Sequence, residues 1–351
     1  MKKIIIGALI FLLMVTVGLS VLSVVVYRQN FAKRFETIEP IAKVEDFKDL
    51  KAEKLEFASN KGQKLTGYMY SKDTTVEDAK AIVVISHGIG AGHNKYVNVA
   101  DYFASHGYLA FGFDDTGCDE SEGTGLGGLA QAVIDLNYAI SFVEEKYPDK
   151  PIVLFGHSMG GYSVMSELRY HPEVKAVVEC SGFVKSSDMF ESEGKNQVGT
   201  VIYGMLPFVK LYDRILFGEY AVNDAFDAFE ASDTPVLVLH SADDTIVPIE
   251  YGLDKIKVKY GDDPRFEFIR FDDRGHNDVF CDLTNQDEIN EEFREWINSK
   301  GYDADAPENA ERLKADKLDF INNVMDRSKW FDIIDDELFE QMTDFYERAL
   351  K

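Results

Sequence analysis

The sequence predicts an α/β fold: a mostly parallel central sheet flanked by helices, with an inserted cap and a leading transmembrane helix. Three observations predict it. From Ala81 onward, short apolar runs that read as strands buried on both faces alternate with amphipathic stretches of helical period. One such run, Ile152 to Phe155, passes without a spacer into Gly156-His157-Ser158-Met159-Gly160 and then into helix-compatible residues, giving strand, sharp turn and helix. Near the start, Ile4 to Tyr27 is an uncharged run of about 24 residues, long enough at ~1.5 Å per residue to cross a bilayer of about 30 Å.

Composition bounds what such a chain does. With 351 residues, 45% of them hydrophobic, there is material for one large core. A net charge of −25 argues against nucleic acid or an acidic lipid surface as the main partner, since both would be repelled at close range. Cys118, Cys180 and Cys281 cannot all pair with one another and show no metal or redox spacing, so they say little about compartment.

In chain order, residues 1–30 are read as an uncleaved membrane anchor. A cleaved signal peptide would have an apolar core of about 7–15 residues and a small-residue cleavage site, which Tyr27-Arg28-Gln29-Asn30 does not provide. Lys2 and Lys3 on one side are matched by Arg28, Lys33 and Arg34 on the other, so charge decides orientation weakly. A lysine-headed apolar start is typical of exported chains and favours a soluble domain outside the cytoplasm. Residues 31–51, with Pro40, read as a tether carrying a short helix.

The main domain is expected over 52–300. Residues 53–58 and 64–70 flank Asn60-Lys61-Gly62 as an edge hairpin. Strands follow at 81–86, 108–113, 152–155, 174–180, 235–240 and 266–271, with helices at 96–106, 129–147, 249–260 and 288–297. Such alternation implies right-handed crossovers, with the site in loops at the carboxyl ends of the strands.

Between Cys180 and Pro235 a connection of more than fifty residues replaces a short loop, and it is read as a cap over about 182–234. Its stretch Val198 to Phe217 is strongly apolar, with Pro207 expected to kink or restart a helix. Those residues suit either a pocket for an acyl chain or the cap's own packing. Beyond Gly301, a carboxyl extension over 301–351 carries one helical stripe in Leu338, Phe339, Met342, Phe345 and Tyr346, and a second in Ala310, Leu313, Ile321 and Val324. Both are expected to dock on the main domain, with partner binding as the alternative.

The chemistry starts at Ser158. A serine at the apex of a strand-to-helix turn is held in a strained conformation with its hydroxyl clear of the sheet, and Gly156 and Gly160 are needed because a Cβ there would strike a neighbour. The hydroxyl needs a base to take its proton, usually an imidazole. His276, in Arg274-Gly275-His276-Asn277-Asp278 directly after the last strand, is best placed. His240 ends a strand and is expected to pack or hydrogen-bond there. His157 is expected to point away from the serine, and His93, His106 and His171 read as loop or helix-end residues. An acid must fix the base's tautomer. Asp244, four residues before Pro248, is the choice, with Asp243 in reserve. For the oxyanion of acyl transfer, backbone N–H groups of Met159 and of Ile89, in His87-Gly88-Ile89-Gly90, are the expected donors.

Taken together, His87-Gly88-Ile89-Gly90, Gly156-His157-Ser158-Met159-Gly160-Gly161, Asp244 before Val247-Pro248, and Gly275-His276 resemble the α/β-hydrolase superfamily. Within it they look like the monoacylglycerol lipase, lysophospholipase and serine aminopeptidase group. The resemblance covers residues 52 to 300 and implies a serine hydrolase of carboxylic esters that uses no cofactor or metal and takes a small acyl ester or lipid-like substrate. Two loops depart from the lipase pattern: Ala91-Gly92 stands where the lipases have Glu-His, and Asp119 stands where they have a second glycine. The alternatives are an exopeptidase with Glu191 and Glu193 as an anionic subsite, and a non-catalytic binding protein of the same fold.

Overall fold

The computed structural model describes residues 1–37, 42–282, 286–327 and 333–351, so Pro40 lies outside the described residues. A long apolar helix, α1 (Lys2–Phe31), leads the chain. The expected hairpin is present as β1 (Lys51–Ala58) and β2 (Lys64–Ser71), and Gly62 adopts φ 79° in its tight turn. Then come β3 (Ile82–Ser86), α2 (Val97–Ser105), β4 (Leu109–Phe113), α3 (Leu129–Lys146), β5 (Ile152–His157), α4 (Met159–Ser166) and β6 (Val177–Cys180). The insertion holds α5 (Ser186–Val198), α6 (Ile202–Phe217) and α7 (Ala225–Ala231). After β7 (Val236–Ser241), α8 (Leu253–Tyr260) and β8 (Phe266–Phe271), the chain ends in α9 (Gln286–Ser299), α10 (Ala310–Asp319) and α11 (Asp336–Ala349).

The strands β1 to β8 form one sheet in the order β1-β2-β4-β3-β5-β6-β7-β8. β2 runs antiparallel to both β1 and β4, and the remaining neighbours are parallel. The order reverses at β3, with β4 on one side and β5 on the other, so the crevice at the carboxyl ends of β3 and β5 is the position where open α/β sheets place their sites.

The uninterrupted apolar runs are explained by packing on both faces. Ile82, Val84, Ile152 and Leu154 point into a core completed by Leu136 and Ile140 of α3 and Val164 of α4. The alternate residues Val83, Ile85, Val153 and Phe155 point the other way, against Val99 and Phe103 of α2 and Phe339 of α11. Truncating one of them, Leu154→Ala for example, is expected to cost about 2–5 kcal/mol.

The stripe on α11 is fully used by this second core. Leu338, Phe339, Met342, Phe345 and Tyr346 are all buried, the Tyr346 hydroxyl donates to the Leu154 carbonyl at 2.8 Å, and the Asp335 side chain caps the helix by accepting from the Leu338 N–H at 3.0 Å. The second stripe differs from expectation: Ile321 is buried, but Ala310 and Val324 are exposed. The helix ends at Asp319 and the chain continues through a wider turn over Phe320–Val324, so the i, i+3, i+4 spacing breaks and burial passes to Phe320 and Met325, which pack on Ile289. At Pro207 the helix does not restart: α6 runs through it, and the break between α5 and α6 falls at Gly199, with φ 61°.

Candidate active site

Ser158 sits between β5 and α4 with φ 58° and ψ −118°, a conformation side-chain-bearing residues rarely adopt. Its N–H donates to the Cys180 carbonyl at 2.8 Å, which fixes the turn against β6. The flanking glycines are required sterically: a Cβ on Gly156 would lie 2.3 Å from the Gly160 carbonyl oxygen, and one on Gly160 would lie 2.0 Å from the Ser86 carbonyl oxygen. Both obstacles are backbone, so no rotamer change relieves them.

The loop after β8 brings His276 over the serine, with Nε2 2.9 Å from Ser158 Oγ. Its Nδ1 lies 2.7 Å from Asp244 Oδ2, and the tautomer with the proton on Nδ1 follows from that carboxylate. Asp244 is buried, and its Oδ1 accepts from the N–H groups of Ile246 at 2.9 Å and Val247 at 2.8 Å. Burial alone would raise the Asp244 carboxyl, but hydrogen bonds from His240, His276 and the Val247 backbone hold it well below the usual carboxylate range. His240 does more than pack at a strand end: its Nε2 lies 3.2 Å from Asp244 Oδ2 and 2.8 Å from the Val247 carbonyl. Burial opposes charge on this imidazole, yet Asp244 and Glu179 raise its pKa overall. Asp243, the reserve acid, serves the loop instead: its Oδ1 accepts from Ser241 Oγ at 2.6 Å and from the Gly275 N–H at 2.8 Å.

Sequence reasoning understated His157. It is buried, and its Nε2 lies 3.0 Å from the carbonyl of His276 while its Nδ1 lies 2.9 Å from the Tyr96 hydroxyl. The Tyr96 oxygen in turn accepts from the Gly88 N–H at 3.0 Å. Burial, reinforced by His276, pushes the His157 pKa well down, so its ring is neutral, donating to the carbonyl and accepting from the tyrosine. One chain of hydrogen bonds thus ties the loop after β3 to the loop that carries His276. The residue's place inside Gly156-His157-Ser158 was the available signal. His87 fixes the same β3 loop from the other side, its Nε2 accepting from the Asp115 N–H at 3.0 Å and its Nδ1 lying 2.8 Å from the Gly88 carbonyl. Burial lowers its pKa, so the nearby Asp115 carboxyl at 3.4 Å makes no ion pair with it.

Ile89 and Met159 both line the cavity in front of Ser158, and Met159 opens α4, where a backbone N–H has no acceptor within the helix. The cavity measures about 390 Å³ and is walled mainly by apolar side chains, among them Phe183, Met189, Phe190, Met205 and Val209 from the cap region. Glu193 reaches its edge, whereas Glu191 is not among its lining residues. The arrangement places a hydroxyl, an imidazole and a carboxylate in hydrogen-bonding sequence at the floor of an apolar pocket, which is the geometry for activating an alcohol towards an acyl carbon.

Comparison with known proteins follows the same lines. A hydrolase family described as serine aminopeptidase, S33, matches residues 77–217. The monoacylglycerol lipase of Mycolicibacterium smegmatis is 30% identical over 135 residues, or 38% of this chain and 47% of that one. The monoglyceride lipase of Mus musculus is 34% identical over 84 residues, 23% of this chain and 28% of the other. The chain therefore spans less than half the length of these curated relatives. Among solved structures, an esterase of Pyrococcus furiosus superposes with a TM-score of 0.54 at 16% identity, covering 77% of this chain and 96% of that one, a likeness of fold.

Proposed function

The chain is a member of the α/β-hydrolase superfamily, in the group of the monoacylglycerol lipases, and from that premise we propose that it is a membrane-anchored serine hydrolase of carboxylic esters. The observation that carries the reading is the run of contacts from Ser158 Oγ to His276 Nε2 at 2.9 Å and from His276 Nδ1 to Asp244 at 2.7 Å, at a strained turn facing an apolar cavity. In the proposed mechanism Ser158 Oγ attacks the ester carbonyl as its proton passes to His276 Nε2. The tetrahedral oxyanion is held by the N–H groups of Ile89 and Met159. Collapse breaks the bond to the alcohol, which leaves with the proton from His276. Water then attacks the acyl-serine, giving its proton to His276, and the acid and free Ser158 are released. Asp244 holds the imidazole in the required tautomer and stabilises the imidazolium.

The anchor belongs to this proposal. Ser23, Tyr27 and Phe31, on the last turns of α1, are buried against the rest of the protein, so cleavage after the apolar run would remove residues that the fold uses. An exopeptidase remains the second reading on one observation, Glu193 at the cavity edge, where a carboxylate could meet a free amino terminus.

The test is labelling of the full chain with a fluorophosphonate, followed by turnover of p-nitrophenyl esters and aminoacyl anilides. Labelling at Ser158, ester turnover and its loss in Ser158→Ala are the expected results. Ester hydrolysis that survives Ser158→Ala removes the serine from the mechanism, and preference for the anilides favours the exopeptidase.

A further inference from the structure

Helix α1 is an anchor only over its first part. Through Gly18 every residue is exposed, and from Ser23 one face turns inward, with Ser23, Tyr27 and Phe31 buried at four-residue spacing. The partners of that face are cap elements. Ser23 Oγ lies 3.3 Å from the Met205 carbonyl, the Tyr27 hydroxyl donates to the Asp213 carboxylate of α6, and the Tyr27 ring meets Phe190 at 5.6 Å and Tyr212 at 5.3 Å. Asn30 and Gln197 exchange side-chain amide hydrogen bonds at 3.2 and 3.0 Å.

The residues after α1 are equally tied down. Arg34 donates to the carbonyls of Asp119, Ser121 and Gly123, Phe35 pairs by backbone with Gly117 and Asp119, and Thr37 donates through N–H and hydroxyl to the Asp119 carboxylate at 2.6 and 2.7 Å. The two departures from the lipase pattern lie at this seat. Asp119 is the acceptor for Thr37, and a Cβ on Gly92 would lie 2.2 Å from Asp119 Oδ2 and 2.5 Å from Asp114 Oδ1, so a histidine at Gly92 does not fit beside it. The loops that differ are the ones that receive the end of the anchor.

The same face walls the cavity. Val26, Tyr27, Asn30, Phe31 and Phe35 line it together with Ser158 and Ile89. Depth then follows from length. Starting at Ile4, ~20 residues at ~1.5 Å each cross about 30 Å of hydrocarbon and end near Ser23, where burial begins. Tyr27 lies about 6 Å further along and Phe31 about 12 Å, which is headgroup depth. The start of α6 forms the cap tip: Val201 and Tyr203, within a few residues of the Met205 carbonyl that faces Ser23, are each about half exposed, as expected of apolar and aromatic residues at a membrane interface.

Resting on the hydrolase reading above, we infer that the last two turns of α1 form a wall of the acyl pocket, and that the pocket takes the chain of a bilayer-resident acyl ester which enters alongside α1 beneath the cap tip. The anchor is then part of the binding site as well as a tether, and the length of acyl chain accepted is set partly by Tyr27 and Phe31.

The test uses the full-length protein in phosphatidylcholine vesicles with a dodecyl fluorophosphonate bearing a diazirine at the chain end. The phosphorus bonds to Ser158 Oγ with loss of fluoride, and light then inserts the chain end into whatever lines the pocket. Insertion within residues 26–35 is the expected result. Attachment to Ser158 with insertion confined to α5, α6 or lipid overturns the wall and leaves the hydrolase reading standing, whereas failure to attach to Ser158 overturns both. A second measurement does not depend on the probe. In Phe31→Ala and Tyr27→Ala the ratio of kcat/KM for dodecanoyl over acetyl p-nitrophenyl esters is expected to fall at least tenfold, and an unchanged ratio, including an equal loss at both chain lengths, overturns the proposal.

Discussion

Replacing Asp244 by asparagine is the most informative single change, because its effect can be worked out from four hydrogen bonds. Oδ1 accepts from the N–H groups of Ile246 and Val247 at 2.9 and 2.8 Å, and Oδ2 faces His276 Nδ1 at 2.7 Å and His240 Nε2 at 3.2 Å. An asparagine has one oxygen for these two sides. Turning its NH2 towards the backbone would leave two buried N–H donors unpaired, at about 1–3 kcal/mol each, or about 2–6 kcal/mol in total. The amide oxygen therefore stays on the backbone and the NH2 faces the imidazole. His276 Nδ1 must then accept, which moves its proton to Nε2 and points it at Ser158 Oγ, so the base can no longer take the serine proton. The expected fall in kcat on p-nitrophenyl butyrate is about 10³- to 10⁴-fold, or about 4–5.5 kcal/mol of barrier, with thermal unfolding showing an intact fold. Asp243→Asn leaves the imidazole's partner in place and is expected to lower kcat by no more than about tenfold. If Asp244→Asn turns over within tenfold of the parent at an unchanged melting temperature, the orienting role belongs to another residue.

Three further outcomes rest on the same geometry. Gly160→Ala puts a methyl group 2.0 Å from the Ser86 carbonyl oxygen and 2.5 Å from its carbon, so it is expected to destabilise by more than about 4 kcal/mol; a native melting temperature would contradict the elbow geometry. Tyr96→Phe strips the partner from the Gly88 N–H and from His157 Nδ1, and is expected to lose about 1–3 kcal/mol of stability and to lower kcat with little change in KM, so unchanged values of both would remove the brace from the mechanism. Burial raises the Asp213 carboxyl from 3.8 to about 6, against the opposing hydrogen bond from Tyr27. The folded protein thus holds that proton more tightly than the unfolded chain, so this contribution is greatest below about pH 4, falls as pH rises through about 6, and is bounded by ~3 kcal/mol at 1.36 kcal/mol per unit. Asp213→Asn keeps an acceptor for Tyr27 without ionising, so thermal unfolding should show it more stable than the parent by about 1–2 kcal/mol at pH 8 and by little at pH 4; an equal gain at both would sink the assignment.

The parts of the fold that were legible are those in which one local rule dominates. Strands such as Ile82–Ser86 and Ile152–His157 are packed on both faces, so their apolar runs are unbroken and stand out against the polar turns around them. The elbow was legible because Gly156 and Gly160 are forced by backbone contacts within a few residues of Ser158. The choice of His276 and Asp244 rested on their loops at the carboxyl ends of strands and, for the aspartate, on its place four residues before Pro248; the structure brings Asp244 to His276 and His276 to Ser158. What was hidden is long-range: nothing in the local sequence says that His157, one residue from the nucleophile, spends its Nε2 on a carbonyl 119 residues downstream. The position of the break was hidden too: α6 does not restart at Pro207, and the break lies at Gly199, where a positive φ is available.

The docking of α1 was illegible for a different physical reason. An amphipathic face shows itself in sequence through contrast between apolar and polar positions, and a membrane span has almost none. Ser23, Tyr27 and Phe31 are spaced as one helix face, but Val21, Leu22, Val24, Val25 and Val26 surround the first two with residues as apolar as any buried one. The informative signals were the Tyr27 hydroxyl and the Asn30 amide, which meet Asp213 and Gln197 of the cap; Ser23 was a weaker one, since its hydroxyl also reaches its own Leu19 carbonyl at 2.7 Å, as Thr16 and Ser20 do with Leu12 and Val17. In a low-dielectric setting an unpaired polar group is costly, so a side-chain amide near the end of an apolar helix points to a polar partner outside that helix. The break in lipase pattern at Ala91-Gly92 and Asp119 carries the same information from the other side of the contact, because a loop that must receive an extra segment gives up bulk and gains an acceptor.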